Sequence, residues 1–139
     1  IDVSRSPRGI VLSFPEAGSF PPGRADLTAS AREVMRRIAE TVRDRRNLLR
    51  VEGHTDDVPI HTWLFQSNWE LSTTRATRVV QLLIDEGGIA PERLSAAGYG
   101  EHRPRVPNDS LASRARNRRV DLVVLDPGTA QREEPTGAR

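Results

Sequence analysis

Two places in the sequence hold residues able to do chemistry. The first is Gly53-His54-Thr55-Asp56-Asp57, with His61 a few positions on. Imidazoles and carboxylates this close could hold a cation, accept from an ammonium or activate water. Their spacing matches no zinc motif such as His-Glu-x-x-His, so metal-dependent hydrolysis is the minor reading and a polar loop the plainer one. The second place is Arg75. On a helical wheel Leu71, Ala76, Val79, Val80, Leu82, Leu83 and Ile84 fill one broad arc, and Arg75 falls inside it. A guanidinium there either snorkels to water along its stem or faces a cavity and needs an anion. That anion is either a carboxylate of the chain or one carried by a ligand and held bidentately. Asp56 or Asp57 taking an ammonium while Arg75 takes a carboxylate would recognise the zwitterionic end of an amino acid. Spacing alone leaves this level with the alternative, in which the acids cap the loop or pair with Arg75.

The elements that must position these residues follow from periodicity and turn chemistry. Gly9 to Phe14 reads as a strand, and Pro15 to Gly23, with three Pro and two Gly, as a loop. A helix follows, with Ser30 and Glu33 spaced as a capping box and Ala31, Val34, Met35, Ile38 and Val42 on its inner face. Leu48 to His54 is a second strand that puts His54, Thr55 and Asp56 at its C-terminal end, where open α/β sheets place ligands. An irregular segment runs to Ser67. A second helix then extends to Glu86 and stops at Gly87-Gly88. Leu94 to Ala97 is a short strand. Asn108-Asp109-Ser110 can cap a short helix, and Arg119 to Leu125 is the last strand. The fold class is α/β in the sense of an α+β sandwich, in the order β-α-β-α-β-(α)-β. Its two crossovers are expected to give parallel neighbours. Residues 1–8 are expected to be an N-terminal extension, 9–126 the domain, and 127–139 a disordered tail.

Composition narrows the function classes. The chain has 139 residues, enough for one domain, and only six aromatic residues, so Leu, Val, Ile and Ala must build the core. All 21 basic residues are Arg, balanced by 19 acids. That balance, and Arg runs without aromatic stacking partners, argue against nucleic-acid binding. The absence of Cys excludes disulfides, Cys-zinc sites and thiol catalysis. No cofactor or metal is expected. No signal peptide or apolar run of about 20 residues is visible, and the sequence is expected to be a piece of a longer protein.

Beyond single residues, several spaced motifs carry a resemblance. They are Phe20…Gly23…Ala25…Leu27, Val51-Glu52-Gly53-His54-Thr55-Asp56, Asn68…Leu71-Ser72…Arg75-Ala76, Arg93-Leu94…Gly98-Tyr99-Gly100…Pro104…Asn108 and Arg114…Asn117-Arg118-Arg119-Val120. In this order they resemble the OmpA-like peptidoglycan-binding domains, the OmpA/MotB family. Asp57-Val58-Pro59-Ile60 and Ser67-Asn68-Trp69-Glu70-Leu71-Ser72 look most like its MotB-like, flagellar stator branch.

The resemblance implies a mixed sheet with helices on one face. It also implies a binding module rather than an enzyme. Asp56 would hold the amine of diaminopimelate in the stem peptide of the cell wall, and Arg75 its carboxylate. Thr55, Asn68 and Leu71 would shape the same pocket, with Arg118 close by. It further implies a periplasmic, dimeric anchor tethered to the inner membrane, with a stator A subunit as membrane partner. The alternative within the family is an anchor for an outer-membrane protein or a secretion system. The sequence departs from the family at Pro21, which follows Phe20, and at Asp57, a second carboxylate.

Overall fold

The computed structural model describes residues 1–128. The expected tail falls almost wholly outside them. The elements in order are β1 (Asp2–Ser6), β2 (Gly9–Pro15), α1 (Ala29–Val42), β3 (Leu49–His54), α2 (Asn68–Asp85), a 3₁₀ turn (Pro91–Arg93), β4 (Leu94–Gly98), α3 (Leu111–Asn117) and β5 (Arg119–Leu125). The five strands form one sheet in the order β1-β2-β5-β3-β4. Only β3 and β4 are parallel neighbours. β5 runs antiparallel to both β2 and β3 and lies between them.

Two expectations change here. The first crossover, β2-α1-β3, does bring its strands into the same direction, yet they are not neighbours, because the last strand inserts between them. Residues Asp2–Ser6 are not an extension outside the domain but an edge strand paired with β2 from Asp2↔Ser13 to Ser6↔Gly9. Pro7-Arg8 makes the hairpin. The Ser6 hydroxyl accepts from Arg8 N at 3.2 Å.

Helix starts are set by hydroxyl caps. Thr28, not Ser30, caps α1: its Oγ1 accepts from Ala31 N at 3.2 Å and donates to Gly18 O at 2.7 Å, tying the helix start to the loop after β2. Ser67 caps α2 by accepting from Trp69 N at 3.1 Å and also hydrogen-bonds the Glu70 carboxylate, a reciprocal box.

Met35 and Ala39 of α1 and Ala76, Val79 and Leu83 of α2 pack on Phe14, Leu49, Val51, Val120 and Leu122 of the sheet, all buried. The mixed sheet thus carries its two long helices on one face, as expected. The pleat sends Arg50, Glu52 and His54 of β3 and Arg119 and Asp121 of β5 to the other face. There Arg8 grips Glu52 through two bonds of 2.6 and 2.9 Å, and Arg50 and Tyr99 reach the same carboxylate.

The approach of α2 to the sheet depends on two glycines. A Cβ on Gly53 would strike the backbone carbonyl of Ser72, and one on Gly98 would strike Thr73. With both positions bare, the first turns of α2 lie directly on the C-terminal ends of β3 and β4. The residues at those turns are Asn68, Leu71 and Arg75.

Candidate binding site

Because β2 and β3 run the same way and β5 runs against them, three chain ends meet at one edge of the sheet. Glu16 follows β2, Thr55 and Asp56 follow β3, and Arg118 precedes β5. The backbone closes this corner, Glu16 N donating to Arg118 O at 2.9 Å. The first turns of α2 cover it. Thr55, Asp56, Asn68, Leu71, Arg75 and Arg118 all line one cavity of about 360 Å³, together with Glu16, Pro22, Gly23 and Val58-Pro59-Ile60.

The charged groups alternate in sign. Arg75 Nη1 lies 2.9 Å from Glu16 Oε2, Glu16 Oε1 accepts from Arg118 Nε at 2.9 Å, and Arg118 Nη1 reaches Asp56 Oδ2 at 2.8 Å. Arg75 is only 2% exposed, so it does not snorkel. Its Nε donates to Arg24 O at 2.7 Å and its Nη2 to Pro21 O at 3.3 Å, and its guanidinium lies 4.8 Å from the Phe20 ring centroid. Burial pulls the Arg75 guanidinium below its ordinary pKa, and Glu16 opposes that shift. Arg118, a third exposed, is shifted up, chiefly by its hydrogen bond to Asp56.

The remaining expected residues hold the frame. Asp56 Oδ1 accepts from Val58 N at 3.0 Å, which turns the chain after β3. Thr55 Oγ1 donates to Asp56 O at 2.8 Å, and Asn68 Nδ2 donates to Val58 O at 3.0 Å, pinning that turn to α2. Leu71 packs on Phe65 and Ala25 as the apolar wall. Asp57 leaves the site, pairing with Arg114 at 3.1 Å. Pro21 enters it through its carbonyl, which accepts from Arg75.

Asp56 and Arg75 do not pair with each other, which removes the alternative of an internal pair between these two; Glu16 and Arg118 stand between them in the charge chain. Neither was singled out for that role. Glu16 was passed over because it sits among prolines and glycines, and only the strand order shows that it shares an edge with Asp56. Asn117, fully buried, was also missed as a support: its Oδ1 accepts from Arg105 N and Val106 N, and its Nδ2 donates to Val106 O and Asn108 Oδ1. That fixes the chain one residue before Arg118.

The candidate metal ligands are distributed differently. Asp56 and Asp57 are engaged with arginines, and His61 Nδ1 lies 3.2 Å from Gln66 O. His54 lies on the helix-free face, where Glu52 and Asp121 bring donor atoms close to it. Arg8, Arg50 and Arg119 already pair with those carboxylates and oppose a further cation. Both ring nitrogens of buried His54 lack a hydrogen-bond partner, the nearest carboxylate oxygen of Asp121 being 3.7 Å away. Desolvation first, then the Arg119 charge, lowers its pKa to about 4.

A small, charge-lined cavity beyond the strand ends of an open sheet is where folds of this kind place ligands. The chain belongs to the OmpA family, whose model matches residues 19–118. It is 31% identical to Motility protein B of Bacillus subtilis over 136 residues, 96% of this chain and 52% of that protein. It is 35% identical to Motility protein B of Helicobacter pylori over 118 residues, 83% of this chain and 46% of that protein. The chain therefore spans about half the length of these curated relatives. Among solved structures, the cell wall anchor of the T6SS from Pseudomonas aeruginosa superposes with a TM-score of 0.81 at 33% identity, over 89% of this chain and 86% of that one. The periplasmic domain of Helicobacter pylori MotB gives 0.79 at 30% identity, over 94% and 85%.

Proposed function

We propose that this domain binds peptidoglycan non-covalently in the periplasm, anchoring a membrane-linked assembly to the wall by holding the diaminopimelate end of the stem peptide. The observation that carries this reading is the alternating chain Arg75–Glu16–Arg118–Asp56 along one cavity. A zwitterionic amino-acid centre carries one carboxylate and one ammonium on the same carbon, and it complements such a chain sign for sign. Arg75 uses three of its five N–H groups on Glu16, Arg24 and Pro21 and so keeps donors for a ligand carboxylate. Asp56 offers its carboxylate to the ammonium in exchange for part of its bond to the more exposed Arg118. The ligand thus replaces an existing ion pair rather than burying new bare charge, which limits its desolvation cost.

Nothing in this scheme makes or breaks a bond, so the reading is of a binding module. Likeness to the Motility protein B relatives supports the flagellar stator reading; its dimer and its stator A partner in the membrane are part of the family resemblance alone. The secretion-system reading rests on the structural likeness to the T6SS wall anchor. Both share the same wall contact. Co-sedimentation with purified sacculi tests it. Native protein should pellet, Asp56→Ala and Arg75→Ala should stay in the supernatant, and free diaminopimelate should compete. Folded variants that still pellet would sink the assignment.

A further inference from the structure

A second cavity, of about 380 Å³, opens where β1, β2 and α3 meet. It shares no lining residue with the cavity of the proposed wall site. Three arginines from three elements line it: Arg105 from the loop before α3, Arg116 from α3 and Arg119 from the start of β5. Their charges face a single acidic side chain in the lining, Asp2. The pleat separates the two cavities, since Arg119 points to the helix-free face while Arg118, one residue earlier, lines the other cavity.

The cationic wall is built from the interior outward. Arg119 is only 8% exposed. Its Nε donates to Asp121 Oδ2 at 3.2 Å, its Nη1 to Asn117 O at 3.1 Å and its Nη2 to Arg103 O at 3.4 Å. Those bonds use three of its five N–H groups, and no hydrogen bond among the described residues occupies the other two. The buried Asn117 side chain also fixes Arg105, whose main-chain N donates to Asn117 Oδ1 at 2.8 Å. The Arg105 guanidinium itself is loosely held. Its Nη1 lies 3.4 Å from the buried Ser13 hydroxyl, and its Nη2 lies 3.5 Å from Asp2, a carboxylate that is 74% exposed. Arg116 is exposed and pairs with no carboxylate among the described residues. Burial lowers the pKa of Arg119, Asp121 opposes the shift, and the charge of Arg105 adds to it.

We infer that this cavity binds a phosphate group, with Arg105 and Arg119 donating to its oxygens and Arg116 closing its rim. Two like charges that line one cavity and keep unused donors are stabilised by an anion between them. The number of arginines favours phosphate over carboxylate. A carboxylate presents two oxygens in one plane, which the fork of a single arginine satisfies. A phosphate monoester spreads a charge of about −1.5 to −2 over three oxygens and takes donors from more than one guanidinium. Pro15, Ala17 and Ala115 complete the wall without adding a competing acid, and their apolar surface strengthens the charge-assisted bonds. The same chemistry would take the phosphate of a soluble ester or that of an anionic phospholipid headgroup.

Inorganic phosphate titrated into the purified chain tests the site, with chloride holding the ionic strength constant and arginine Nε–H signals read by NMR. The Arg105 and Arg119 signals should move together and saturate. Arg105→Gln and Arg116→Gln should each weaken binding about fivefold or more. Arg45→Gln removes an equal charge from the exposed turn after α1 and should change binding by less than about twofold. Asp2→Asn, which deletes the one competing acid, should tighten binding. All variants should keep native circular dichroism and the sacculus binding of the native chain. Glycerol phosphate and phosphatidylglycerol vesicles separate the sources. Vesicle retention that Arg105→Gln abolishes assigns the lipid headgroup, glycerol phosphate binding without retention assigns a soluble ester, and binding of inorganic phosphate alone assigns the free ion. The inference is overturned if phosphate moves neither signal, or if chloride alone moves both equally. It is also overturned if acetate binds as tightly, if Arg45→Gln weakens binding as much as Arg105→Gln, or if the arginine variants change sacculus binding in step with phosphate binding.

Discussion

Glu16 holds two arginines at once, Arg75 through Oε2 and Arg118 through Oε1, each at 2.9 Å. One of the two guanidiniums is buried and the other a third exposed, so the pairs differ in worth. The Arg75 pair is shielded from water, and its loss leaves a charge in the interior. Glu16→Ala should therefore destabilise the domain by about 3–5 kcal/mol, read from urea unfolding, because Arg75 keeps only backbone carbonyls as partners. A double-mutant cycle with Arg75→Met should recover much of that loss. Additive losses would show that the pair is not coupled.

Asp56 stands at the other end of the chain, and its removal should separate stability from binding. Its partner Arg118 is a third exposed and keeps its bond to Glu16, so the ion pair itself is worth about 1 kcal/mol or less. Losing the Asp56 Oδ1 bond to Val58 N adds a similar amount. Asp56→Asn keeps that bond, and unfolding should show it within about 1 kcal/mol of the native chain. Its affinity for sacculi should nonetheless fall more than tenfold, since the site loses its acceptor for an ammonium. Wall affinity close to native in this variant would remove Asp56 from the site.

Gly53 and Gly98 tie the fold to the site, since α2 rests on both through its Ser72 and Thr73 turn. Gly53→Ala should cost several kcal/mol, on the order of an overpacked core substitution, because the obstructing atom is backbone and cannot rotate away. The same displacement would lift Asn68, Leu71 and Arg75 off the corner formed by Glu16, Asp56 and Arg118. Thermal unfolding and sacculus binding should fall together in this variant, in contrast with Asp56→Asn.

What was legible in the sequence depended on whether a residue's meaning was local. Arg75 announced itself by breaking the apolar arc of its own helix. α2 and β5 were readable at nearly their true limits because a cap and a glycine pair bound the one and a Val- and Leu-rich run makes the other. β1 was not, since Asp-Val-Ser-Arg-Ser has no apolar face and becomes a strand only by pairing with β2. Glu16 was hidden for the same kind of reason. Its role depends on β5 inserting between β2 and β3, which no local pattern encodes. The alternating chain thus has two members, Glu16 and Arg118, whose pairing no local motif reveals.

The helix-free face carries the last expected outcome, a pH dependence of stability. In the fold, His54 has its pKa lowered to about 4 from the ordinary 6.5, because its ring is buried without hydrogen bonds and Arg119 lies near. Between those two values the unfolded chain takes up a proton that the folded chain refuses. The neutral ring's contribution is thus intact above pH 6.5 and is lost as pH falls toward 4, by up to about 3 kcal/mol. Below pH 4 both states are protonated and this group adds no further slope. Glu52, held below its ordinary pKa by Arg8 and Arg50 against the burial that opposes them, drives the stability in the same direction at more acid pH. His54→Phe keeps a ring to stack on Tyr99, 5.3 Å away, and removes two buried nitrogens that have no partner. Urea midpoints for the native chain should drop steeply from pH 6.5 to 4, and those of His54→Phe should stay nearly flat to about pH 5. Parallel curves for the two proteins would mean that His54 is solvated and that the slope belongs to the carboxylates.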